Sequence, residues 1–219
     1  MFAIAQIAVR LFEADGRWRS DISLAELDVP EGVRLVIGRR LERVSEGARG
    51  ALTVAAIVGL RFPVDLVEAV TAVQGDALLD ALEEAEHAGL IRPLPAGREA
   101  QYGFAHELIR HTLVSGLSMP RRQRWHLRIA DAIERLHGAR LDEYAADLAY
   151  HLYESGAAAN SGRATAATLR AAEQAVKAGA FGDALAHIDR AQSLESDNVT
   201  QRADLLRVRC ESLRGLGRW

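Results

Sequence analysis

The feature that most constrains this fold is a change of periodicity at Phe104 to Glu107. Before it, QYGFA (Gln101 to Ala105) reads as a strand; after it, Glu107 to Leu117 brings Leu108, Ile109, Thr112 and Leu113 inward at helical spacing. His106 stands at the change. A second strand, LIRPL (Leu90 to Leu94), precedes the first, and PAGREA between them has the Gly and Pro chemistry of a hairpin turn. No other stretch carries a strand signal, so a chain built of helices around one hairpin is predicted.

The helices are legible in order. Ile4, Ile7, Ala8, Leu11 and Phe12 recur at helical spacing until Gly16, GRWRSD is a turn, and Ser20 to Val29 is a connector. Beyond Pro30, one face carries Val33, Val36, Ile37, Leu41 and Val44, and the other Arg34, Arg39, Arg40 and Arg43. Ser45 caps a helix that buries Leu52, Ala55, Ala56 and Val58. Pro63 opens a short helix with Leu66, Val67 and Val70. Asp76 starts another, with Leu78, Leu79, Leu82, Ala85 and Ala88 on its core face and Gly89 as its C-terminal stop.

Three helices followed by a two-stranded wing make a winged-helix domain over 45–137, after a helical arm over 1–44. Within it Pro120 opens a helix whose inward face is Trp125, Ile129, Ala132, Ile133 and Leu136. Residues 138–219 change texture: Ala157 to Ala191 holds 14 alanines in 35 residues. There GAFGDALAHIDRAQSLESDN sets Gly179, Phe181, Ala184, Leu185, Ile188 and Ala191 in the order of a second tetratricopeptide-type helix, with Ser196 where proline is usual. The predicted class is mainly α, a winged helix followed by tetratricopeptide-like helical hairpins.

Several chemistries have no residues to carry them. The 219 residues hold one lysine, Lys177, among 27 basic residues, and it sits in AVKAGA. A phosphate-binding loop needs Gly-x-x-x-x-Gly-Lys-Ser/Thr, so no enzyme activity towards ATP is expected from this chain. The seven histidines show no metal-ligand spacing, and His106 and His111 diverge on a helix. No serine or cysteine lies in a nucleophile motif. The single cysteine, Cys210, reads as a helix-core thiol and fits a reducing, cytoplasmic setting. Glu83, Glu84 and Glu86 read as a solvated helix face. No run approaches the length of a membrane span.

The block from Val29 to Glu134 resembles a known family. VPEGVRLVIGRRLERVSEGARGALTVAAIVGLRF, LLDALEEAEHAGLI, YGFAHELIRHTL and LSMPRRQRWHLRIADAIE are similar to the arm and winged-helix segments of STAND-class signal-transduction ATPases, in particular large bacterial LuxR-type and cyclase-linked regulators. Such segments follow a nucleotide-binding domain and precede repeat-type sensors. The resemblance therefore implies a regulatory piece of a longer, ATP- or ADP-binding protein, cut at both ends. It also implies a partner in that missing nucleotide-binding domain, and a protein or small-molecule inducer at the repeats. In the family a histidine of a Met-His-Asp motif contacts the β-phosphate of ADP. The matching residues here are Ala105, His106 and Glu107, which keep the imidazole and depart on either side. The residues alone equally describe a histidine satisfied by backbone at a helix start.

Two rival functions stand beside this one. A DNA-reading winged helix would place its third helix beside phosphates, but Asp76 to His87 carries Asp76, Asp80, Glu83, Glu84 and Glu86 and no Arg or Lys. Net charge is −3, so no basic field compensates. The run Arg121, Arg122 and Arg124 beside Trp125 is the better nucleic-acid candidate, set against a helix with a core Trp125 and solvated arginines, which is the reading adopted. The other rival is a free-standing helical-repeat adaptor that binds a partner protein.

Overall fold

A computed structural model describes residues 31–95, 99–194 and 199–218. The helix expected at Ile4 to Phe12, the GRWRSD turn, the connector and Ser196 lie outside the described residues. Within them the chain is mainly helical, with a small three-stranded antiparallel sheet.

Helix α1 spans Glu31–Leu41 and α2 Glu46–Val58. Ser45 starts α2 as its N-cap, its Oγ accepting the Ala48 N–H at 3.1 Å. The same serine donates from N–H and Oγ to the two carboxylate oxygens of Glu84, at 2.8 and 2.7 Å. Glu84 therefore leaves the solvated face assigned to it from sequence and ties two helices together. We expect Ser45→Ala to cost about 1–2 kcal/mol in urea unfolding, because the cap and the Oγ bond to Glu84 are lost together while the backbone N–H bond remains.

After α2 come β1 (Arg61–Pro63), α3 (Val64–Val70) and α4 (Asp76–His87). Gly89, at φ +67°, ends α4: its N–H donates to Glu86 O and the Leu90 N–H reaches back to Ala85 O, the paired bonds of a Schellman stop. The chain then enters β2 (Ile91–Leu94), returns as β3 (Gln101–Phe104) and leaves as α5 (Glu107–Ser115).

The hairpin expected from sequence is thus part of a larger sheet, ordered β1-β3-β2. Phe62 pairs with Tyr102, and Ile91 with Phe104. The correction from two strands to three has a simple cause. Arg61–Pro63 is too short to show alternation, and only β3, far along the chain, makes it a strand. Pro63 and Pro93 both fall in outer strands, where a missing N–H is tolerated.

Five further α-helices follow among the described residues: α6 (Met119–His137), α7 (Ala145–Glu154), α8 (Ser161–Lys177), α9 (Phe181–Ser193) and α10 (Val199–Gly215). One core joins Leu52, Phe62, Leu82, Ile91 and Phe104 with Ile37 and Val44. A second joins Ile129, Ile133, Leu148 and Leu152 with Ile57 and Leu66, so α2 and α3 contribute to both. Ile188, Leu205 and Val208 form a third. Each such side chain contributes about 1.5–3 kcal/mol when fully buried. The alanines of α8 (Ala164, Ala167, Ala171 and Ala172) are buried where neighbouring helices come close.

Three apolar residues expected inside are outside: Val36, Leu79 and Leu136 are 52, 48 and 42 % exposed. Leu136 is displaced because the buried line of α6 runs His126, Ile129, Ile133, His137. Cys210, expected in a helix core, is exposed. No helix among the described residues is long and apolar enough to cross a membrane.

Candidate functional site

The junction between β3 and α5 is built from the sheet outward. Because β3 is the central strand, its end is gripped from both sides: the Phe104 N–H donates to Leu60 O and the Ala105 N–H to Leu90 O, each at 2.9 Å. Phe104 is buried, its ring 5.5 Å from that of Phe62. The backbone after Ala105 is therefore fixed in direction. His106 remains extended (φ −153°, ψ 143°) and becomes the N-cap of α5.

Its side chain does what a capping residue does. Nδ1 accepts the Leu108 N–H at 3.1 Å, and the His106 carbonyl accepts the Ile109 N–H at 3.0 Å. The ring is exposed. An acceptor at Nδ1 leaves the proton of the neutral ring on Nε2, on the far side from the helix. Two of the free N–H groups at the start of α5 are thereby consumed, so the junction presents one directed donor in place of an open cradle.

Glu107, the next motif position, is occupied. Arg110 donates to its carboxylate from Nε at 2.7 Å and from its terminal amine at 2.6 Å. The other terminal amine of Arg110 reaches Ala56 O on α2 at 3.1 Å. The guanidinium thus locks the first turn of α5 to the end of α2 and cancels the charge of Glu107. The i,i+3 spacing of that pair is visible in sequence; the bond to Ala56 is not.

The remaining histidines are scattered, with one exception. His126 and His151 meet inside the α6–α7 interface with their Nδ1 atoms 2.9 Å apart, a hydrogen bond in which one ring donates to the other. Both are buried, and Tyr150 sets its ring edge-on to each. Burial holds both below the ordinary histidine range, His126 at about 4 with Arg122 adding to the effect, and His151 at about 3 with His126 adding to it. Nothing in the spacing of these two residues, 25 apart, foretells the contact. Among the described residues no three metal-ligating side chains converge.

Apart from Glu84, the acidic surface of α4 is as expected from sequence. Asp76, Asp80, Glu83 and Glu86 of α4 are exposed, while Glu68 turns away to accept the Gly75 N–H at 2.7 Å. No family model, no curated protein and no solved structure matches the chain.

Proposed function

We propose that the chain is a non-catalytic regulatory segment of a STAND-type ATPase regulator, in which a winged helix couples the nucleotide state of a separate domain to a helical-repeat sensor. The observation that carries this reading is His106. It sits exposed at the exit of the central strand, braced by its own helix start through Nδ1, which leaves Nε2 as the ring's remaining hydrogen-bonding atom.

The order α2-β1-α3-α4-β2-β3 supports the winged-helix part. The run of helices α6 to α10, with Gly179 at φ +73° turning α8 into α9, supports tetratricopeptide-like hairpins. In the proposed mechanism ADP on the nucleotide-binding domain accepts a hydrogen bond from Nε2 of His106 and keeps the winged helix docked. Loss of that bond lets the segment move, and the repeats respond to a protein or small-molecule inducer. A single donor suits a sensor: one hydrogen bond to a charged group contributes about 1.5–3 kcal/mol, enough to bias a two-state equilibrium.

In the longer ATPase-containing protein, His106→Ala is expected to weaken ADP retention by about tenfold or more, the equivalent of that bond. Dissociation of a fluorescent ADP measures it, and unchanged retention would remove the phosphate-sensing role.

A further inference from the structure

Arginine is this chain's cation, and most of the arginines that reach across the surface of its repeat helices are matched by carboxylates. Arg163 is held by Asp131 and Glu134, Arg170 by Asp142, Arg207 by Glu173 and Glu211, and Arg209 by Asp189. The first half of α6 breaks that pattern. Arg121, Arg124 and Arg128 are exposed, and none of them has an acidic partner among the described residues. They line one groove of about 670 Å³ between α6 and the outer face of α2, where Gly50 and Thr53 form the opposite wall. Trp125 supplies the half-buried apolar floor, and the groove has no acidic lining residue. The nearest acids further along α6, Asp131 and Glu134, are engaged by Arg163.

We infer that this groove is a docking site for an acidic polypeptide segment with interspersed apolar residues. Positions 121, 124 and 128 follow the i, i+3, i+7 rule, so the three guanidiniums line up over about 10 Å of one helix face. That spacing matches carboxylates on successive turns of a helix or at alternate positions of an extended strand. Guanidinium forks bind carboxylates bidentately, and Leu117 and Pro120, which also line the groove, offer apolar partners for a leucine-like side chain.

A nucleic acid fits less well. Single strands need an uncovered aromatic face on which to stack bases, but the Arg128 guanidinium already lies 4.9 Å over the Trp125 ring. A longer polyanion would also leave the groove for a surface of net negative chain charge. The inference stands independently of the role given to His106.

The test uses the full chain and a short fluorescein-labelled peptide of alternating glutamate and leucine, followed by fluorescence polarisation at low and moderate salt. Saturable, salt-weakened binding is expected, reduced at least about tenfold in Arg121→Gln/Arg124→Gln. It should be unchanged in Arg202→Gln/Arg214→Gln, which removes two exposed charges from α10. Gly50→Glu provides a second arm: a Cβ at Gly50 meets nothing within 4 Å, so the substitution sets a competing carboxylate on the wall without a clash. It too should weaken binding at least about tenfold. Absence of saturable binding, equal binding by all variants, or tighter binding of labelled oligothymidylate through the same arginines would each overturn the assignment.

Discussion

Lowering the pH from 7 to 5 is expected to destabilise the fold by about 4 kcal/mol through the His126–His151 pair alone. The hydrogen bond between the two Nδ1 atoms requires at least one neutral ring, and burial disfavours a charge on either. Both folded-state values lie below the ordinary one of 6.5, at about 4 and about 3. The unfolded chain therefore binds protons first as pH falls. The contribution is complete above pH 6.5 and shrinks as pH drops towards 4, the direction expected for a depressed histidine. At pH 5 each ring accounts for about 2 kcal/mol of the loss.

The groups facing the pair reinforce this. Arg122 approaches His126, His126 itself opposes charge on His151, and Tyr150 offers only its ring edge. Urea midpoints at pH 7 and 5 measure the effect. The double variant His126→Leu/His151→Leu replaces the pair with apolar volume and should lose most of the dependence. If the double variant keeps all of it, the destabilisation comes from elsewhere.

What could be seen in the sequence and what could not divide along a physical line. Helices declare themselves locally: the caps at Ser45 and Gly89 and the apolar periodicity of α2 and α4 are written in consecutive residues, and apart from the exposed Leu79 they stand where expected. The strand-to-helix change at His106 is equally local, and its backbone-satisfied ring was one of the two alternatives open from sequence. Long-range contacts leave no such mark. The third strand exists only because Arg61–Pro63 meets Gln101–Gly103, and Glu84 is tied down only because Ser45 is across from it. Most of the inward face of α6 stands where expected, with Ile129, Ala132 and Ile133 buried and Trp125 packed against the same core. Leu136 is the exception, and His126 and His137 are core positions that an apolar pattern passes over. A buried histidine is polar in any pattern search, and for His126 the partner on α7, His151, is what makes burial tolerable.

The strand absent from the sequence reading is also the place where one substitution should do most damage. Phe62→Ala is expected to cost about 3–5 kcal/mol, the range for removing a buried phenylalanine ring from a core that only partly collapses. Phe62 is fully buried, its ring 6.3 Å from Tyr102 in a stacked arrangement and 5.5 Å from Phe104 in a tilted one. Those two residues belong to β3, so the same ring packs the core and registers β1 on the central strand. Phe62→Leu keeps most of the volume and should recover more than half of the loss. The damage should not be uniform. Hydrogen exchange at Phe104 and Ala105, whose N–H groups bond to Leu60 and Leu90, should accelerate relative to amides of α7 and α8, which draw on a different core. Equal acceleration throughout would mean that the ring supports the whole chain as one cooperative unit. A loss below about 1 kcal/mol would mean that β1 is held by its backbone pairing alone. With the predicted pattern, the brace that aims His106 is identified as a packing device, and the orientation of its ring depends on a phenylalanine more than forty residues upstream.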